Sequence, residues 1–147
     1  MRSLAIIFLV VLLSACAATG KPFIRADNPS EQEARLYVYR PTHFIQGAIY
    51  PTVYLDSKAV GELKNGGYLT LVVTPGEHLV TLAGGFLQWG HSSRTYHVSL
   101  EPGRTYYYKL DPNMRGEGNR TIMGYSFGRV EEENAAIAQL QSLNESR

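Results

Sequence analysis

The 147-residue sequence contains a single cysteine, Cys16, and a single tryptophan, Trp89. One cysteine excludes an internal disulfide framework and any cysteine-rich metal site. Charge of one sign is also missing, with 14 Lys and Arg against 13 Asp and Glu. Nucleic-acid binding is not expected, because it needs a basic face. The longest apolar run, Leu4 to Leu13, spans ten residues. That is half of the roughly 20 needed to cross a bilayer as a helix. No histidine and no aspartate follow Ser126.

What is present starts at the N-terminus. Arg2 supplies a positive start, the apolar run follows, and Ser14-Ala15 place small residues just before Cys16. A charged start, a short apolar core and small residues at the end form a secretory signal peptide. Leu13-Ser14-Ala15-Cys16 resembles the lipobox of bacterial lipoproteins. The resemblance implies cleavage before Cys16 and acylation of its sulfur and new amine. Two or more acyl chains anchor a protein stably, where one binds marginally. In enteric-type lipoproteins an aspartate after the cysteine signals inner-membrane retention. Ala17 stands there instead, so the resemblance implies the outer membrane, periplasmic face. The competing reading is a plain secretory peptide with an incidental cysteine.

Removing residues 1–15 leaves a neutral chain of one domain's size, able to hold a core without disulfides. Residues 16–34, with Gly20, Pro22 and Pro29 and no apolar period, read as a lipidated tether. From Arg35 the texture changes to short apolar runs broken by turn residues, the pattern of an all-β domain over residues 35–130. Ten tyrosines fit it, since aromatic side chains suit a pleated, half-buried surface.

Strands are expected near 36–40, 52–55, 60–63, 68–73, 79–82, 95–100, 106–110 and 121–127. Asp56-Ser57-Lys58 reads as a turn by composition. Asn65-Gly66 predicts a type I′ hairpin, because both residues tolerate positive φ. Pro75-Gly76 and Pro102-Gly103 predict type II turns. Residues 111–119, polar and glycine-rich, read as a loop. Residues 131–147 read as a helix and tail. The helix spans Glu131 to Leu143, with Ala136, Ile137, Leu140 and Leu143 on one stripe and glutamates in the first turn, where the helix dipole favours them. The fold class is an antiparallel β-sandwich of hairpins with a short C-terminal helix, after a lipoprotein signal peptide and tether.

The succession Tyr39-Arg40-Pro41, Val53-Tyr54-Leu55-Asp56, Val60-Gly61-Glu62-Leu63, Asn65-Gly66-Gly67-Tyr68, Pro75-Gly76-Glu77-His78 and Pro102-Gly103-Arg104-Thr105-Tyr106-Tyr107-Tyr108 resembles an uncharacterised lipoprotein family of Gram-negative envelopes, a domain of unknown function. The Pro-Gly-Glu-His motif is similar to the PEGA domain, a small β-sandwich. The resemblance spans roughly residues 35–110. It implies a sandwich on a lipid anchor and carries no catalytic residues.

No motif assembles a reaction. Gly124-Tyr125-Ser126-Phe127-Gly128 fits the nucleophile elbow of α/β-hydrolases, yet the acid and histidine that must follow are absent. Gly85 to Ser92 lacks the lysine of a P-loop. His91 and His97 lack a third metal ligand at convincing spacing. The carboxylates Glu62 and Glu101 would serve a hydrolase only if they met in one cleft, about 5–10 Å apart. Phe86 and Trp89, among glycines in a connection, are candidate ligand-binding residues, since loop aromatics are typical binding anchors. The competing reading buries them as a cap on the core. His43 to Tyr50 is a second apolar loop of the same kind. No cofactor is expected. The sequence reads as a lipid-anchored, non-catalytic binding or scaffold module for envelope proteins or cell-wall glycan. The alternative is an envelope hydrolase acting on lipid or glycan.

Overall fold

The computed structural model describes residues 17–44, 46–84 and 92–146. Two sheets face each other. The first contains β1 (Ala34–Arg40), β4 (Gly67–Val73), β7 (Thr105–Glu117), β8 (Arg120–Arg129) and β9 (Asn144–Glu145), in the order β8-β7-β1-β4-β9. The second contains β2 (Thr52–Leu55), β3 (Lys58–Glu62), β5 (Gly76–Ala83) and β6 (Arg94–Leu100), in the order β3-β2-β5-β6. A helix, α1 (Glu133–Leu140), completes the elements.

Period-two alternation decides which side chains meet between the sheets. Leu36 and Val38 of β1, Val80 and Leu82 of β5, Val98 and Leu100 of β6, and Tyr106 and Leu110 of β7 form the shared core. The alternate residues of β1 and β7 are also buried, because α1 covers the outer face of the first sheet. Tyr37, Tyr39, Tyr68 and Tyr107 pack there with Phe23, Ala136, Leu140 and Leu143. The helix is shorter than expected, but its stripe faces the sheet as the spacing required. Tyr37 and Tyr107 stack at 5.5 Å, and Phe23 meets Tyr37 and Tyr68 edge-on. Tyrosine suits this layer because its polar tip needs a partner when buried. Tyr39 Oη donates to Gln139 Oε1 at 2.9 Å and Tyr107 Oη to Glu133 Oε1 at 3.2 Å. Burial, with nearby carboxylates, pushes both hydroxyl pKa values up to about 12.

Several expectations are corrected. The first sheet is mixed: β1 runs parallel to β7 and β4 parallel to β9. Asn65-Gly66 makes no hairpin, because β3 and β4 belong to different sheets. Gly66 has φ +66, but Asn65 does not share it; its side chain is engaged elsewhere, as described below. The turn with two successive positive φ values is Asp56-Ser57, at 49° and 69°, closing the β2–β3 hairpin. Both Pro-Gly turns likewise pass the chain from one sheet to the other rather than closing hairpins.

Residues 111–119 are not a loop. β7 and β8 continue as a two-stranded ribbon, paired from Tyr108–Arg129 out to Glu117–Arg120. β1 accompanies β7 only to Lys109. Pro112, which cannot donate to a ladder, sits where that edge is free. Gly118, at φ +58, supplies the two-residue turn.

Part of the segment read as tether is packed instead. Ala18 and Phe23 are buried. Ala18 N donates to Asn65 O, and Gly20 N and Phe23 N donate to Glu145 O and Leu143 O. Residues 17–23 thus join β9 at the edge of the first sheet, held by backbone hydrogen bonds that an apolar-period search does not detect.

Candidate functional site

Strand direction sorts the molecule into two ends. β1 ends, and β4 begins, at the end where the ribbon departs, together with the last residues of β5, the first of β6 and the loop 41–51. The Asp56-Ser57, Pro75-Gly76 and Pro102-Gly103 turns occupy the other end.

The ribbon end carries a cleft of about 410 Å³. Arg94 at the start of β6 lines it with Asn113, Arg115, Ile122, Met123 and Tyr125 of the ribbon. The Arg94 guanidinium lies over the Tyr125 ring at 5.3 Å. Two guanidinium groups, the Glu117 carboxylate, an amide and apolar side chains line it together, which suits a ligand that carries polar or charged groups beside apolar surface.

Of the site residues expected from sequence, Cys16, Phe86 and Trp89 lie outside the described residues, as does His91. The flanks of the Phe86–Trp89 connection are described: β5 and β6 are antiparallel neighbours, and Ser92 and Arg94, just beyond it, line the cleft. His97 is exposed on the outward face of β6, as its alternation required.

The hydrolase candidates do not meet. Ser126 lies mid-strand in β8, not on a strand-to-helix elbow, and its hydroxyl is 3.5 Å from the Asp111 carbonyl. Glu62 follows the β3 ladder to the ribbon end, opposite Thr52, which in turn pairs with Ala83. Glu101 follows Leu100, paired with Gly76 at the far end of β5. Seven residue steps of strand, roughly 23 Å, therefore separate them along the sheet. Among the described residues no three His, Cys, Asp or Glu gather closely enough to hold a metal ion.

Three polar arrangements were not foreseen. Arg40 is fully buried, and its guanidinium donates to the Ile49 carbonyl at 2.5 Å and the Gln46 carbonyl at 2.6 Å. Burial lowers its pKa to about 10. It thereby holds the loop 41–51 against the sheet. The only sequence signal was an arginine ending an apolar strand before proline. Asn65 clamps the same loop, accepting from His43 N and donating to His43 O, both at 2.9 Å. His43 Nε2 is 3.0 Å from Asp111 Oδ1, which joins the loop to the base of the ribbon, and Lys109 Nζ is 2.8 Å from the other Asp111 oxygen.

At the opposite end His78 bridges Asp56 Oδ2, 2.6 Å from Nδ1, and the Thr74 carbonyl, 2.8 Å from Nε2. Both partners are acceptors, so both ring nitrogens must carry protons to satisfy them. Neither nitrogen is left to act as a base.

The family model for a protein of unknown function, DUF2846, matches residues 30–124, well over half of the chain. The chain belongs to the DUF2846 family. It is similar to an uncharacterized protein of Haemophilus influenzae, 27% identical over 112 residues, which cover 71% of this chain and 63% of that protein. The match thus spans less than two thirds of the relative's length. No solved structure matches. The DUF2846 region holds all of the second sheet, β1, β4, β7 and the first half of β8, and stops short of α1 and β9.

Proposed function

We propose that this DUF2846 protein is a lipid-anchored lipoprotein on the periplasmic face of the outer membrane, with a PEGA-like sandwich that acts as a non-catalytic binding or scaffold module. The observation that carries the reading is the Leu13-Ser14-Ala15-Cys16 sequence behind a ten-residue apolar core, followed by Ala17. Support for a binding role comes from the arginine-lined cleft at the start of β6. Loops and ribbons carried on a rigid sheet scaffold are where binding residues concentrate. Envelope proteins or cell-wall glycan are the partners this chemistry suits: aromatic rings stack on sugars, and guanidinium groups pair with carboxylates.

Radioactive palmitate fed to expressing cells tests the anchor. The wild-type chain takes up label and Cys16→Ser does not. Equal labelling of both would overturn the assignment. Co-sedimentation of the protein with purified cell-wall sacculi tests the glycan arm. Binding weakened by Arg94→Ala or Trp89→Ala supports it, and failure to co-sediment redirects the search to protein partners cross-linked in the envelope.

A further inference from the structure

The N-terminal connection emerges beside an exposed aromatic residue. Ala17 bridges to Asn65, and Ala18 N donates to Asn65 O at 3.0 Å. The Asn65 side chain grips both backbone groups of His43. The next residue, Phe44, is fully exposed. Residue 16 is one peptide from Ala17, so its Cα stands ~3.8 Å from that of Ala17. Whatever holds residue 16 to a bilayer therefore also holds the Asn65–His43 corner within a few residues' reach of it, with no long spacer between.

Apolar exposure is concentrated at this same end. Seven large hydrophobic side chains are exposed among the described residues: Ile24, Phe44, Val72, Leu79, Met114, Ile122 and Met123. Phe44 and the three ribbon residues are at the end where Ala17 sits; the others are scattered singly elsewhere. Met114 and Met123 form a directly opposed pair on the ribbon, about half exposed each. The ribbon's tip is polar, Glu117-Gly118-Asn119-Arg120. An apolar flank behind a polar tip suits a ribbon lying along an interface, not one crossing it. The same logic places an amphipathic helix in the plane of a membrane, about 5–10 Å deep. Arg115 and Arg120 can extend their charged heads toward phosphates while their stems stay apolar.

We infer that this end of the sandwich rests directly on the phospholipid surface, with Phe44 and the Met114–Met123 flank in the interfacial layer and the Arg94 cleft, which Met123 also lines, opening at the edge of that layer. The inference rests on the anchoring read at Cys16, and it adds an orientation: the Asp56, Pro75 and Pro102 turns point away from the bilayer. The anchor then serves as a short hinge and not as a flexible leash.

Fluorophore labelling tests it. In the full acylated chain Cys16 carries lipid, so a new cysteine is the single reactive thiol. Phe44→Cys, Met114→Cys and, at the far end, Lys58→Cys are each labelled with an environment-sensitive dye. The proteins are reconstituted on vesicles of phosphatidylethanolamine and phosphatidylglycerol containing a spin-labelled lipid quencher. Labels at 44 and 114 are expected to be quenched several-fold more than the label at 58. Equal quenching at all three sites, or none on vesicle-bound protein, overturns the orientation. Absence of palmitate on the chain overturns the anchoring reading separately, and the same three cysteines placed in a Cys16→Ser background then decide the orientation. Protein that fails to float with the vesicles overturns both.

Discussion

Asp56 Oδ2 and His78 Nδ1 lie 2.6 Å apart and join the β2–β3 turn to the first residues of β5. The other Asp56 oxygen accepts from Leu79 N at 2.9 Å. Burial alone would pull the His78 pKa down; the hydrogen bonds to Asp56 and Thr74, with the charges of Asp56 and Glu77, outweigh it and raise the pKa above 6.5. The bond from His78, then the bond from Leu79, hold Asp56 below 3.8.

Linkage gives the sign. The His78 contribution is complete below pH 6.5 and is lost as pH rises through the higher folded value. The Asp56 contribution is complete above pH 3.8 and is lost as pH falls through the lower folded value. The stability difference between wild type and Asp56→Asn is therefore expected to peak between those limits and to shrink on either side. Thermal unfolding across pH measures it, and a pH-independent difference would count against the clip.

Gly66→Val is expected to destabilise the domain, for a reason other than a hairpin. The residue is at φ +66, and a Cβ there would stand 2.6 Å from Thr42 Oγ1. A residue forced into such backbone costs roughly 1–3 kcal/mol. Gly116→Ala is the control, with ordinary φ and open space around its Cβ position. A thermal midpoint for Gly66→Val equal to that of Gly116→Ala would contradict this.

Replacing Arg40 by methionine keeps the bulk and removes two donors to the 41–51 loop. The expected loss is about 1.5–3 kcal/mol for each of the two hydrogen bonds, the range for bonds to a charged group. Denaturant titration reads the loss. Faster amide exchange across residues 46–50 locates it, and unchanged exchange there would argue that Arg40 does not hold the loop.

Leu140→Ala removes a fully buried side chain from the helix–sheet layer. Burial predicts a cost of about 2–5 kcal/mol. Altered near-ultraviolet dichroism should accompany it, because Tyr37, Tyr39 and Tyr107 lie in the same cluster. A neutral result would make α1 an appendage instead of a structural layer.

Trp89 can be followed by its own fluorescence, since the sequence has no other tryptophan. As a binding residue it is expected to be quenched by iodide, and Trp89→Ala should leave the unfolding midpoint nearly unchanged. A loss of about 3–5 kcal/mol on truncation would instead place it in the core.

Local signals in the sequence were enough for the strands of the sandwich and for the stripe on α1. Alternation at Tyr96, Val98 and Leu100 follows from burial of one face of a strand, and the continuous run from Leu36 to Arg40 from burial of both. Partner choice is not local. Asn65-Gly66 has hairpin chemistry, yet Asn65 is committed to His43, 22 residues away, and the chain passes to the other sheet. The ribbon's polar residues look like a loop because neither face is covered, while their backbone pairing supplies the order. Residues 17–23 carry almost no apolar period, and backbone bonds to Asn65, Leu143 and Glu145, with Phe23 seated against Tyr37 and Tyr68, keep them on the domain. The cleft at Arg94 likewise exists only once β6 lies opposite β8. Side-chain pattern therefore determined which segments are strands and which stripe is buried. Pairing across long sequence separations, decided by the whole backbone's need for hydrogen-bond partners, determined where those segments lie and what they bring together.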